Sequence, residues 1–156
     1  MRLGWLVLGV AMLCGGGLLS ACRHESKPQT ERDPNAPTVL LQGTFESVAK
    51  PARGRAEIVR TGERYELHLY GARVDSQRPV RVYLVGVDRA PTTRSVADAE
   101  LKYDMAELDQ DAAHQIISLP SEPNPAIRSV VLWEPTFYVN LAFAPLDPPG
   151  SSAAAK

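Results

Sequence analysis

Apolar and polar residues alternate one by one in several short segments, and this alternation limits the possible fold more than any other feature of the chain. In residues 65–70, the side chains of Tyr65, Leu67 and Leu69 fall on one face, and the more polar residues between them fall on the other. A period of two is that of a β-strand with one buried face. The segment therefore predicts a strand that covers a core.

Strand patterns also occur in residues 56–60, 80–87, 116–119, 127–133 and 137–143. Residues 127–133 are almost continuously apolar, which predicts a strand covered on both faces. In the last segment the alternation directs Phe137, Val139, Leu141 and Phe143 inward. Because the 13 prolines and 11 glycines are spread along the chain, short strands are favoured over long helices.

The only segment with a plausible helical pattern is Ser95 to Leu108, and a loop with a short strand is the alternative there. Residues 61–63 predict a hairpin turn between the first two strands. Several short strands separated by turns predict an all-β fold, a single antiparallel β-sandwich or a barrel-like domain.

The first residues have the pattern of a signal peptide that is removed from the folded protein. Arg2 precedes an apolar run of 11 residues, 3–13, which is too short for a bilayer core of about 30 Å. The run leads to Leu19-Ser20-Ala21-Cys22, which resembles the lipobox of bacterial lipoproteins. The resemblance implies cleavage after residue 21 and attachment of diacylglycerol and a fatty acid such as palmitate to Cys22. Arg23, rather than aspartate, follows and implies the periplasmic side of the outer membrane in a Gram-negative host.

These features divide the chain into four parts. Residues 1–21 are the signal peptide, 22–37 are an acylated and flexible tether, 38–146 are the folded domain, and 147–156 are a disordered tail. The chain's two cysteines are Cys14 and Cys22, so the domain is expected to contain neither a thiol nor a disulfide. This excludes thiol redox chemistry and cysteine-bound metals. The formal net charge of −1 gives no basic surface for nucleic acid.

Five segments resemble the DM-thirteen domain family in their order and spacing. They are Gly43–Phe45, Gly54–Ile58, Arg78–Leu84, Ser129–Trp133 and Phe137–Leu146. The family is a small extracellular β domain that has been proposed to transfer electrons. Its pattern has a cysteine, the proposed redox residue, where this chain has Glu134, and glycines where this chain has Arg78 and Ala142. The resemblance therefore implies the fold, whereas the electron-transfer role lacks its sulfur.

Glu134 has two interpretations. It follows Trp133 at the end of a strand and precedes Pro135, which cannot continue the ladder. Since glutamate is seldom fully buried, we expect a solvated carboxylate at the rim of the sandwich. The alternative is a functional carboxylate that binds a cation or a basic ligand beside Trp133.

Other candidate sites have weaker patterns. The histidines, His24, His68 and His114, have no ligand spacing, and a metal site from His68, His114 and Glu134 would need the fold to bring them together. The acidic residues of 88–111 are expected to be solvated. The aromatic residues Tyr83, Trp133, Phe137 and Tyr138 are expected in the core. We predict no catalytic, cofactor-binding or metal-binding residue.

The sequence therefore predicts a bacterial envelope lipoprotein that is not an enzyme. The lipid on Cys22 anchors it to the membrane, and the β domain binds another envelope protein or a small ligand. The alternative is a redox accessory module that takes part in electron transfer through a bound cofactor or metal. A hydrolase is disfavoured because the chain has no Gly-x-Ser-x-Gly motif.

Overall fold

The alternating segments form β-strands in the computed structural model, which describes residue 33 and residues 35–151. The elements in chain order are β1 (Thr38–Thr44), β2 (Glu46–Ser47), β3 (Ala52–Thr61), β4 (Arg64–Val74), β5 (Arg81–Val85), α1 (Thr93–Ala97), β6 (Lys102–Glu107), β7 (His114–Leu119), β8 (Ser129–Glu134) and β9 (Val139–Pro145). The predicted signal peptide and lipid attachment at Cys22 lie outside the described residues, as do most of the predicted tether and residues 152–156. Within the described residues, no helix has the length and apolar character needed to cross a bilayer.

Two antiparallel sheets face each other across one core. The first has the order β1-β3-β4-β7 and the second has the order β2-β9-β8-β5-β6. Side chains from both inner faces meet in the core, among them Ile58 and Leu67 from the first sheet and Val82 and Leu132 from the second. The all-β sandwich prediction is confirmed, and the described sheets do not close into a barrel.

The outer face of the five-stranded sheet is also covered. A second apolar cluster contains Val131 and Phe143 from the sheet and Val96 from α1. Every residue of β8 is buried, which confirms that this strand is covered on both faces. Asn140 joins the covering segment to β9, since its side-chain Nδ2 donates to the carbonyl of Ala90 at 2.6 Å.

The prediction of a helix over residues 95–108 is wrong. The helix α1 has five residues and begins after Thr92, whose hydroxyl accepts the Ser95 amide at 3.1 Å. The rest of the segment forms β6, which pairs with β5 at the edge of the sheet. The alternative of a short strand is the correct one, because pairing with β5 outweighs a weak helical pattern.

The sheets are joined along one side, where β1 lies against β9. Gln42 and Asp147 exchange two backbone hydrogen bonds, of 2.8 and 2.9 Å. A Cβ atom at Gly43 would lie 2.9 Å from the carbonyl carbon of Pro145 and closer still to its oxygen. Glycine therefore permits the close approach. The bridge at Asp147 lies one residue beyond the predicted boundary at residue 146.

Candidate functional site

Glu134 closes the turn between β8 and β9. It is 4% exposed, so the expectation of a solvated carboxylate is wrong. Its Oε1 accepts the backbone N–H of Thr136 at 2.9 Å, and its Oε2 accepts that of Phe137 at 3.2 Å. The hydrogen-bonded ladder of the sheet ends at Pro135. Beyond that point, the side chain of Glu134 supplies the acceptors for the backbone N–H groups of the turn. The carboxylate therefore has a partner for each oxygen and shapes the turn.

The electrostatics of Glu134 favour the ionised form. Burial alone would raise the pKa of Glu134, but several groups act against it and bring the pKa below its ordinary value. These groups are the hydroxyl and amide of Thr136, the amide of Phe137 and the positive charge of Arg78. The turn thus contains a carboxylate that stays charged at neutral pH.

Phe137 and Tyr138 project into solvent at this turn, with exposed fractions of 63% and 72%. The expectation that they belong to the core is wrong, and so is the inward direction of Phe137. The reason is that β9 begins only at Val139, after a register shift beside Trp133, so both aromatic residues fall in the turn. Tyr138 has a φ of 55°, which is uncommon for a residue with a side chain. Glu134 and the backbone conformation of Tyr138 therefore keep the Phe137 and Tyr138 side chains exposed to solvent.

Arg78 lies beside the exposed aromatic rings. Its guanidinium carbon is 4.5 Å from the ring centre of Phe137, within the range of a cation–π contact. We call residues 135–138 together with Arg78 the hairpin tip. The neighbouring Arg81 forms an ion pair with Asp104 at 2.8 Å, which offsets much of its charge. Arg78 is therefore the exposed cationic group at the hairpin tip, and its charge also acts on the buried carboxylate of Glu134.

Trp133 and Tyr83 lie behind the hairpin tip. Trp133 is 6% exposed, as expected for the core, and Tyr83 is half-buried. Their rings meet edge to face, with 6.3 Å between centres. Such contacts add stability beyond the buried area. Trp133 therefore belongs to the second apolar cluster, and its indole ring has little surface to offer a ligand.

A second polar group, the histidine cluster, lies on the outer face of the four-stranded sheet and consists of Glu57, Glu66, His68, Tyr70 and His114. His68 Nε2 is 3.0 Å from Glu66 Oε2. His68 Nδ1 is 3.2 Å from the Tyr70 hydroxyl and 3.2 Å from His114 Nε2. The rings of Tyr70 and His114 stack with centres 4.3 Å apart.

The sequence pattern identifies only part of this cluster. Period-two counting places His68 on the polar face of its strand, but His114 comes from β7, which pairs with β4 only in the folded sheet. The fold brings His68 and His114 together and leaves Glu134 in the other sheet. In the described part of the chain, no group of three or more His, Cys, Asp or Glu side chains has metal-binding geometry. The three-residue metal site considered from the sequence is therefore not formed.

Tyr70 is held in its neutral form within the histidine cluster. Burial raises the pKa of Tyr70, and the carboxylate of Glu57 raises it further, against a smaller effect of Arg55. The guanidinium of Arg55 stands 4.4 Å from the Tyr70 ring centre and pairs with Glu57 at 3.2 Å. The phenol therefore stays protonated at neutral pH, where it acts as a hydrogen-bonding group.

Comparison of the chain with protein-family models, curated proteins and solved structures gave no match in any of the three.

Proposed function

We propose that this protein is a lipid-anchored protein of the bacterial envelope whose β-sandwich binds another envelope protein through the hairpin tip. The anchor is supported by Leu19-Ser20-Ala21-Cys22, with the lipid on Cys22. If the host is Gram-negative, Arg23 favours the periplasmic side of the outer membrane. The 15 residues of the tether that follow Cys22, 23–37, would span about 50 Å when fully extended.

The exposure of Phe137 and Tyr138 carries the proposal. They are the two most exposed large apolar residues that the structure describes, at 63% and 72%. Burying such a side chain contributes about 1.5–3 kcal/mol. Because Glu134 already fixes the turn, a partner loses little free energy in ordering it.

The chemistry of the hairpin tip indicates the kind of partner. Phenylalanine, tyrosine and arginine are the residue types that interface cores favour, and all three occur here. Phe137 and Tyr138 fit an apolar pocket, and Arg78 fits an acidic group at its rim. The partner we propose is therefore an envelope protein with an apolar pocket bordered by carboxylates.

We also propose that the sandwich is of the DM-thirteen type. Of the five segments that carry the resemblance, the first lies at the end of β1 and the second lies in β3. The third lies before and within β5, the fourth lies in β8, and the fifth runs from the turn before β9 to the end of that strand. At the family's cysteine position, the Glu134 carboxylate accepts two amides of its own turn. This supports a binding module, because a carboxylate cannot cycle through the redox states of a thiolate.

Photocrosslinking in living cells tests the docking surface. A benzophenone amino acid replaces Phe137 in the full-length protein, and the matched control carries it at Tyr103, which is 44% exposed on the edge strand β6. We expect one discrete crosslinked protein from position 137 and none from position 103. Equal patterns from the two positions, or none from position 137, would contradict the proposed docking surface.

The anchor has a separate test. The intact mass of the purified protein should equal residues 22–156 plus diacylglycerol, with or without an N-linked fatty acid. Cys22→Ser should move the protein from the membrane fraction to the soluble fraction. An unmodified Cys22 would refute the anchor and leave the crosslinking result standing.

A further inference from the structure

We infer that His68 and His114 form a binding site for a divalent transition-metal cation of the Zn²⁺ or Cu²⁺ class. This inference is independent of the hairpin tip, which lies at a turn between two strands of the other sheet. It begins with the proton on His68. A carboxylate can only accept, so at 3.0 Å His68 Nε2 donates its hydrogen to Glu66. His68 Nδ1 then keeps its lone pair, which the metal would use.

The separation of the two imidazoles fits a shared ion. His68 Nδ1 and His114 Nε2 are 3.2 Å apart. Two nitrogens that bind one tetrahedral ion at about 2.0–2.1 Å each are about 3.3 Å apart. In the metal-free protein, His114 Nε2–H or the Tyr70 hydroxyl donates to His68 Nδ1. The ion replaces that hydrogen bond when His114 carries its proton on Nδ1.

Glu66 is the positioning residue of the site. Metal-binding histidines commonly donate their second ring nitrogen to a carboxylate, which fixes the tautomer and the ring orientation. Glu66 and His68 have this arrangement, and the Glu66 side chain is 25% exposed. The carboxylate thus fixes the tautomer and the orientation of His68 in the metal-free protein.

The surrounding charge favours a cation. Glu57 and Glu66 carry two negative charges near the imidazoles, and Arg55 carries one positive charge, which leaves one negative charge in excess. Glu57 is directly opposite His68 in the β3–β4 ladder. Two imidazoles leave open positions on the ion, which water can fill. Imidazole ligands suit zinc and copper and do not suit calcium or magnesium.

The sheet holds the two imidazoles in place. His68 pairs with Ile116, and Tyr70 pairs with His114, in a stretch of β4 and β7 without a register shift. His68 and His114 are therefore diagonal neighbours on one face, at a spacing that long side chains can bridge. Since two protein nitrogens bind less tightly than three or four ligands, we expect modest affinity.

A zinc titration tests the site. The full-length protein, purified in detergent without a polyhistidine tag and treated with chelator, is titrated with Zn²⁺ against a chromophoric competitor. We expect one ion per chain, with affinity reduced at least about tenfold in His114→Ala and retained in His24→Ala, the matched control. His114 is exposed, so its substitution should lower the melting temperature only slightly, through the lost stacking on Tyr70. A wild-type protein that binds no Zn²⁺, or a His114→Ala protein that binds it equally, would overturn the inference.

Imidazole nitrogen NMR gives an independent measurement. On adding Zn²⁺ we expect the signals of His68 Nδ1 and His114 Nε2 to shift, while His68 Nε2 keeps its proton through Glu66. Glu66→Gln should weaken binding by about tenfold, because an amide, which can also present its NH₂ group, no longer fixes the tautomer and ring orientation of His68. Shifts confined to His24 would place the ion elsewhere and overturn the inference.

Discussion

Gly43 provides the sharpest test of how the sandwich is closed along one side. The residue lies in β1, where the chain passes the end of β9. A methyl group there would lie 2.9 Å from the carbonyl carbon of Pro145, and its oxygen would be nearer still. Both obstacles are backbone atoms, which cannot rotate away as a side chain can. Gly43→Ala must therefore push β1 and β9 apart.

The size of the effect follows from two contributions. Overpacking of this kind costs about 1–3 kcal/mol. The two backbone hydrogen bonds between Gln42 and Asp147 are one residue beyond the clash, and they contribute about 1 kcal/mol each. We therefore expect Gly43→Ala to lower the free energy of unfolding by about 3–5 kcal/mol. For a domain of this size the melting temperature should fall by about 12–20 °C.

Gly71→Ala is the matched control, because it adds the same methyl group without a clash. Gly71 has a φ of +54°, and no atom would lie within 4 Å of the added carbon. The cost there is backbone strain alone, about 1–2 kcal/mol. Both variants are measured by circular dichroism during thermal and urea unfolding. A melting temperature for Gly43→Ala at or above that of Gly71→Ala would refute the tight contact between β1 and β9.

Three further substitutions test other parts of the structure. Glu134→Gln should lower the melting temperature at pH 7. The ionised carboxylate stabilises the fold fully only above the ordinary carboxyl pKa, and this stabilisation is lost as the pH falls through the lowered pKa of Glu134. The difference in melting temperature between the variant and the wild type should therefore shrink at low pH. A constant difference in melting curves from pH 7 to pH 3 would count against the ionised turn. Asn140→Ala should cost about 1–3 kcal/mol in urea unfolding, because the Ala90 carbonyl loses its buried donor. Leu132→Ala should cost about 2–5 kcal/mol by the same measurement, and a smaller loss would argue against its place in the core.

The strands could be predicted where burial imposes a pattern. In β4 and β8 the buried residues recur with a period of two or fill the strand, so the sequence alone indicates their conformation. The edge strand β6 has no fully buried residue, and its sequence is free of that constraint. The segment forms a strand because it pairs with β5, and the periodicity of its own sequence does not indicate that pairing.

The sites could be predicted only in part, because their contacts depend on the fold. Glu134 stands out in the sequence as a charge at the end of an apolar strand, but its partners are amides of a turn whose position depends on the register shift beside Trp133. His68 and His114 are 46 residues apart and meet only because β7 joins the sheet beside β4. The alternative of electron transfer through a bound metal stays a prediction.

The Glu134 carboxylate holds the hairpin tip in one conformation through its two hydrogen bonds to the turn. Amide hydrogen exchange measures this directly, because the N–H groups of Thr136 and Phe137 have this carboxylate as their acceptor. We predict that both amides are protected in the wild-type protein and exchange markedly faster in Glu134→Gln. Rapid exchange of both amides in the wild type, or equal rates in the two proteins, would contradict the claim.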